Sequence, residues 1–173
     1  MSVSNWIADP GHSYIEFSIF INGEVPRQVY FRKMGAVLNL HEDFEKSELQ
    51  LQWVTESVDS GDKGLDKFLT SSDFFAADKV PSLKFLSEKI SKISETQFGI
   101  RGKLNYGDHD EPISFNTRFD NNIVVQEDGS KRTGLYLSTQ VDPKMFGINN
   151  RSVNFDKGIN IEIELEFLLK VQD

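Results

Sequence analysis

The side chains that could do chemistry are few and scattered. Three histidines, His12, His41 and His109, fall in three separate turns, without the His-x-Glu-x-His type of spacing that holds a metal. The chain has no cysteine, so it can form neither a disulfide nor a thiolate nucleophile. Carboxylates are plentiful, with 27 Asp and Glu against 19 Lys and Arg. The most regular of them, Glu162, Glu164 and Glu166, alternate with Ile161, Ile163 and Leu165. That period of two makes them the wet row of a strand rather than an acid–base pair. No glycine-rich phosphate loop, nucleophile elbow or kinase signature occurs. His12 follows the turn signal Asp9-Pro10-Gly11. It can meet a head group or water at a barrel mouth, or hydrogen-bond the turn at Asp9. His41 and His109 sit among carboxylates and read as solvated. The expectation is a protein that is not an enzyme and uses neither metal nor cofactor.

The elements that would position these residues are nearly all strands. Ile15, Phe17, Ile19 and Ile21 share one face of a strand, with Tyr14, Glu16, Ser18 and Phe20 on the other. Residues 29–40 read as a long, irregular strand bent at Gly35. Leu49, Leu51 and Trp53 open the next, which runs to about Val58. After Pro81 a strand passes through Leu83 and Phe85 to about Ile90. Phe98, Ile100, Gly102, Leu104 and Tyr106 share a face, and so do Ile113, Phe115, Thr117 and Phe119. Residues 121–131 hold a hairpin connection around Glu127-Asp128-Gly129-Ser130. Leu135, Leu137, Thr139 and Val141 alternate beyond it. The last strand, 158–171, has the clearest pattern, with Ile159, Ile161, Ile163, Leu165, Phe167 and Leu169 on one side.

About eight such strands joined by short turns predict an all-β domain over 1–173, an elongated eight-stranded antiparallel barrel with no exposed edges. A 14-residue last strand would span roughly 45 Å, and a tilt of about 40° leaves a barrel roughly 35 Å tall. That shape suits a long, slim ligand. Gly102, between Ile100 and Leu104 on the apolar face, is expected either to leave a gap inside or to relieve packing and kink the strand so that the barrel can close; Thr117 and Thr139 would leave smaller gaps. An interior filled by its own side chains is the other reading. Net charge is −8, which speaks against nucleic acid and against docking on anionic lipid. The N-terminus has no basic stretch followed by an apolar one, and no apolar run reaches ~18 residues. The chain as it stands therefore reads as cytoplasmic, without a transmembrane helix.

Residues 66–85, Asp-Lys-Phe-Leu-Thr-Ser-Ser-Asp-Phe-Phe-Ala-Ala-Asp-Lys-Val-Pro-Ser-Leu-Lys-Phe, break the strand pattern. A short helix fits 63–69, and Ser72 or Asp73 can cap a second turn beginning at Phe74. Asp66 fits an anchor for backbone amides there. With Phe68, Phe74, Phe75 and Phe85 it forms a helical plug, which can simply cover one barrel end or gate a cavity.

This segment resembles the central signature of the YceI-like family of polyisoprenoid-binding, lipocalin-like proteins. There the pattern is roughly Arg-Asp-x-His-Leu, then Asp-Phe-Phe-Asp, then a Tyr-Pro and a Phe. Asp66, Leu69, Asp73-Phe74-Phe75, Pro81 and Phe85 match it. Trp6-Ile7-Ala8-Asp9-Pro10-Gly11-His12-Ser13, followed by Glu16-Phe17-Ser18, resembles the family's opening motif. Met145-Phe146-Gly147 resembles its Arg-x-x-Phe-Gly element. Leu65, Phe68 and Pro143 stand where the family has Arg, His and Arg. The resemblance implies a lipid-binding tunnel and a homodimer. The departures favour a ligand less anionic than the family's signature suggests, such as a quinone, a fatty amide or a neutral isoprenoid.

Two functions follow from these residues and that resemblance. The first is binding, storage or transport of a long apolar molecule, a polyisoprenoid, quinone-like or fatty-acyl lipid. Its wall would include Ile15, Phe17, Ile19, Phe98, Ile100, Gly102, Leu104, Phe115, Phe119, Leu135, Leu137, Ile161, Ile163 and Leu165, with Phe68, Phe74, Phe75, Phe85 and Phe146 at the plug. His12, Arg32 and Lys67 are candidate head-group contacts, and Lys33 a further cation near one mouth, or else plain surface charges. The second is a barrel that only presents its surface to a partner protein, with stress response as one setting. Tyr14, Phe20, Tyr136 and Leu168 make the outer wall more apolar than an ordinary wet face, which also favours a dimer.

Overall fold

Alternating sequence becomes strand after strand in the computed structural model, which describes residues 3–148, 153–154 and 157–169. In chain order these are β1 (Val3–Ala8), β2 (Tyr14–Phe20), β3 (Pro26–Phe31), β4 (Met34–His41), β5 (Glu48–Val54) and the short β6 (Val58–Asp59). One α-helix among the described residues, α1 (Lys63–Thr70), follows. Then come β7 (Ser82–Lys92), β8 (Gln97–Tyr106), β9 (His109–Arg118), the short β10 (Val124–Val125), β11 (Lys131–Val141) and β12 (Ile159–Leu169). The order β11-β9-β8-β7-β5-β4-β1-β12 closes into an eight-stranded antiparallel barrel, because β12 returns to pair with β11.

β12 is the staple of that closure. One edge pairs with β11 from Val141↔Ile159 to Lys131↔Leu169. The other edge is shared. Phe167 and Leu168 pair with β1, whereas residues 159–164 pair with β2. β1 and β2 thus form one broken wall position, interrupted by the 3-10 turn Pro10–His12. The strand at Val3–Ala8 lies in a segment that the sequence pattern left outside any strand.

The second wall position is broken too, though not at Gly35. The break falls at Arg32 and Lys33, between β3 and β4, while Gly35 pairs regularly with Gln52. The reason is a change of partner, since β3 pairs with β2 and β6 while β4 pairs with β1 and β5. Arg32 donates its N–H to the Ser57 carbonyl (3.0 Å) and Val54 donates to the Lys33 carbonyl (2.9 Å), so each residue of the break keeps a backbone hydrogen bond.

Between β6 and β7 the chain leaves the wall. Asp62 caps α1 by accepting from the N–H groups of Gly64 and Leu65. Asp66 Oδ1 accepts from the Ser60 N–H (2.8 Å) and hydroxyl (2.6 Å), the anchor expected of it. No second helix follows. Ser71, not Ser72 or Asp73, organises the next turn through its carbonyl, which accepts from Phe74 and Ala76. The returning chain lies across the end of α1, where Phe75 and Ala77 donate to the carbonyls of Leu69 (2.9 Å) and Thr70 (3.0 Å). Carbonyls that a longer helix would have used are satisfied by that reversal.

The space expected over Gly102 is occupied. A Cβ built there would overlap the Leu86 carbonyl oxygen and lie 2.8 Å from the Phe85 ring. The register slips between Ser87 and Lys89 opposite Gly102, a bulge that pushes the β7 backbone against β8. Glycine permits that approach; it does not open a gap. Thr117 is buried and Thr139 half-buried at the wall. The final strand starts at Ile159, after Gly158 at φ +67°, while Lys170 and Val171 lie outside the described residues. Eleven residues of β12 reach roughly 36 Å at ~3.3 Å each.

Candidate functional site

Inside the barrel the strand registers stack apolar side chains in layers. Thr139, Ile161, Phe17 and Val29 make one layer across β11, β12, β2 and β3, and Leu137, Ile163 and Ile15 lie in the next. Ile15, Phe17, Ile19, Ile100, Leu104, Leu137, Ile161 and Ile163 are fully buried, and Phe98, Phe115, Phe119, Leu135 and Leu165 nearly so. Each inward aliphatic or aromatic side chain removed from water contributes roughly 1.5–3 kcal/mol.

The column differs at its two ends. The helix end is closed by an aromatic knot. Phe17 meets Phe31 (4.9 Å), Phe75 (5.9 Å), Trp53 (6.1 Å) and Phe146 (6.1 Å) between ring centroids. Edge-on contacts dominate, the arrangement that ring quadrupoles prefer. Phe68 reaches the knot through Phe74 (5.7 Å), and Tyr106 packs on Phe146 (5.7 Å). Tyr106 also donates its buried hydroxyl to the Phe75 carbonyl at 3.0 Å. Leu65 and Phe68 are half-buried against the core, and Pro143 starts the buried 3-10 turn that carries Phe146. Positions where the family signature carries charge or a ring nitrogen therefore join an apolar cover. Midway, Phe85 and Phe115 meet at 5.0 Å. At the far end Phe44 stacks on Phe119 (4.4 Å) and meets Phe98 edge-on (4.6 Å). Phe44 was invisible as a lumen residue in the sequence, since it sits in a polar turn and belongs to no alternating run.

Two polar atoms are sealed inside this column. Trp53 Nε1 and Thr55 Oγ1 are buried and have no hydrogen-bond partner among the described residues. Such groups are costly unless water or a ligand meets them.

The candidate head-group residues do not gather at a mouth. His12 lies on the side wall, where β12 passes from β2 to β1, and its Nδ1 is 2.8 Å from Asp9 Oδ2. Arg132 joins the same carboxylate (3.0 Å) and Glu166 (2.7 Å). The His12 and Arg132 hydrogen bonds hold the Asp9 carboxyl down at about 2. Arg32 also sits on the wall, paired with Asp59 at 3.0 Å and lying 4.8 Å over the Tyr30 ring. Lys67 is exposed on α1, and Lys33 occupies the break between β3 and β4. His41 accepts the Asp43 N–H at 2.9 Å, and the His109 side chain lies outside the described residues. No group of three or more His, Cys, Asp or Glu among the described residues could hold a metal.

The outer wall of β2, β11 and β12 interleaves carboxylates with phenols. Glu164 is registered between Tyr136 and Tyr14, and Glu16 between Glu162 and Tyr30. Burial and the hydrogen bond to Glu164 push the Tyr14 hydroxyl up to about 12. Burial, then the charges of Glu16 and Glu162 respectively, raise Tyr30 and Tyr136.

A closed barrel with an apolar interior, an aromatic plug and these motifs defines a lipocalin-like barrel of the YceI type. A family model described as the YceI-like domain matches residues 6–169, and the chain belongs to that family. A UPF0312 protein of Pseudomonas putida (strain GB-1) is 27% identical over 121 residues, covering 68% of this chain and 62% of that protein. The chain thus spans less than two thirds of the length of such relatives. Among solved structures, BcnA of Burkholderia cenocepacia superposes with a TM-score of 0.72 at 17% identity, over 94% of this chain and 99% of that one. A polyisoprenoid binding domain from Saccharophagus degradans, implicated in plant cell wall breakdown, gives 0.68 at 10% identity, over 98% of this chain and all of that one. At those identities the likeness is one of fold. No helix among the described residues is long and apolar enough to cross a membrane.

Proposed function

We propose that this protein binds a long apolar small molecule, an isoprenoid, quinone-like or fatty-acyl lipid, along the axis of the barrel. The observation that carries the reading is the inward column of mainly apolar side chains from Phe44 to Phe146, inside a closed wall. Family membership supports it, as does the named ligand class of the Saccharophagus degradans domain. Ile15, Ile163, Leu137, Ile100 and Leu104 would line the tail's path, and the rings at Phe85 and Phe115 would turn aside to admit it. Gly102 has no part in this wall, because the Leu86 peptide covers it. The orphaned Trp53 N–H and Thr55 hydroxyl favour a ligand that carries a hydrogen-bond acceptor toward the helix end. The role is carriage or storage, without catalysis.

The test is native mass spectrometry of protein purified from its own host, followed by organic extraction. A stoichiometric co-purifying lipid is expected. A clean apo mass, together with no uptake of added long-chain probes, would leave a barrel that acts only through its surface. We also propose a homodimer through the Tyr14, Phe20, Tyr136 and Leu168 wall. Light scattering that returns the single-chain mass at tens of micromolar protein rejects it.

A further inference from the structure

The end of the barrel away from α1 holds a cavity of about 700 Å³, walled by the β4–β5, β7–β8 and β9–β11 connections and by the start of β1. Its floor is the end of the lumen itself, made by Leu40, Phe44, Phe98 and Phe119. Phe44 differs from its neighbours because it rides on a 3-10 turn, Phe44–Lys46, between two strands. That turn is tied down locally. Asp43 accepts from the Glu45 N–H (3.1 Å) and gives its own N–H to His41 Nδ1 (2.9 Å). The Glu45 carboxylate accepts the Lys92 N–H at 3.2 Å.

The helix end is bound far more deeply. Phe75 is wedged among Phe17, Phe31 and Phe146 at 5.6–5.9 Å. Its amide and carbonyl are both hydrogen-bonded, to Leu69 and to the Tyr106 hydroxyl. Opening that end would unseat α1 and the chain that crosses it. Opening the other moves one short link, Phe44–Lys46, and lifts Phe44 off Phe98 and Phe119, against the side-chain ties of Ser47 to the His41 N–H and of Glu45 to the Lys92 N–H.

The rim of the far cavity is acidic. Its lining carries the carboxylates Glu42, Asp43, Glu45, Glu95 and Asp120, with His41 and with Lys92, which is 3.4 Å from Glu95, among them. A phosphate or carboxylate brought there meets like charge at separations within a Debye length of roughly 10 Å. An alcohol, amide, quinone ring or amine does not.

We propose that ligand enters and leaves through this far mouth with Phe44 as the gate, and that a polar group resting there is neutral or cationic. The proposal rests on the lumen reading above and adds its port and its selectivity.

The probe is cis-parinaryl alcohol, a polyene whose fluorescence rises in an apolar site. Hexadecylamine and hexadecyl phosphate compete for it at low salt, and stopped flow gives its uptake and release rates. Hexadecylamine should displace the probe about tenfold or more better than the phosphate. Glu42→Lys with Glu95→Lys should shrink that ratio about fivefold to tenfold. Phe44→Ala, or Phe44→Leu should the alanine variant fold poorly, should speed both uptake and release about tenfold, whereas Tyr106→Phe, which releases the helix cover from its tie at the Phe75 carbonyl, leaves them unchanged. Phosphate and amine displacing the probe equally well overturns the selectivity. Rates that respond to Tyr106→Phe and not to the Phe44 variants overturn the port, and either result leaves a lumen that binds. A folded wild type that takes up no probe defeats the lumen reading and this proposal with it.

Discussion

Asp9 works through three contacts, and its charge is what they share. Its side chain accepts the Gly11 N–H at 3.1 Å, meets His12 and pairs with Arg132. A carboxyl held at about 2 in the fold and near 3.9 in the unfolded chain binds its proton more tightly when unfolded. The stabilisation is therefore present above about pH 4 and lost as pH falls through the folded value near 2. Wild type and Asp9→Asn should differ in thermal midpoint by a constant amount above about pH 5 and converge toward pH 2. A difference that persists at pH 2 would assign the effect to geometry rather than charge. Thr55 gives a contrasting case. Its hydroxyl is buried without a partner, so Thr55→Val should leave apo stability unchanged or raise it by up to ~1 kcal/mol. Denaturant unfolding reads this directly. A loss well above that range would mean that an ordered water or a bound ligand already meets the hydroxyl.

Among the elements, the β7–β8 pair and the plug depend on single contacts. Gly102 lets the bulged β7 backbone pass, and a methyl group there would overlap the Leu86 carbonyl. Gly102→Ala should cost at least ~1–3 kcal/mol, the usual penalty for overpacking. Near-wild-type stability would show that the bulge relaxes freely. Ser87 shows how the bulge is accommodated, since its hydroxyl accepts the Leu49 N–H (2.9 Å) where the β5–β7 ladder stops. The plug is held to the wall by the Tyr106 hydroxyl. Tyr106→Phe keeps the ring contact with Phe146 and leaves the Phe75 carbonyl without that donor, which should cost ~1 kcal/mol. An unchanged midpoint would show that the aromatic packing alone seats the plug.

For the whole molecule, closure is distributed unevenly. β11 and β12 pair along their full length, whereas β1 holds β12 by two registered pairs and β10 leans on β11 by two. Hydrogen exchange should therefore be slowest across β11 and β12 and fast in β10, with β1 between them. Uniform protection around the ring would contradict this uneven closure. Charge is uneven as well. The outer wall of β2 and β12 carries Glu16, Glu162 and Glu164, while β7 and β8, across the ring, carry Lys84, Lys89, Arg101 and Lys103. Two copies meeting through the acidic wall would face each other's carboxylates. The proposed dimer should therefore strengthen as salt rises, and sedimentation at two ionic strengths checks the sign.

The strands, their inner faces and the single helix could be read from the chain because period-two alternation is a local property. A residue's side of the sheet follows from its neighbours two places away. So Ile15, Phe17, Ile163 and Leu165 were legible as interior, and Asp66 as an anchor. Partner exchange is not local. Nothing between Arg32 and Gly35 reveals that β3 and β4 pair with different strands, or that Val3–Ala8 fills the gap β2 leaves beside β12. Gly102 looked like missing volume, yet whether a glycine faces space or another backbone depends on a register slip in β7. His12 read either as a mouth residue or as a hydrogen-bond partner of the turn at Asp9; it is the second, because that turn interrupts a wall instead of ending a strand at a mouth. Phe44 carried no signal at all, since one aromatic residue in a polar turn has no period. The sequence determined which side chains point inward. Only the closed ring decided which of them meet, and which end of the barrel could open.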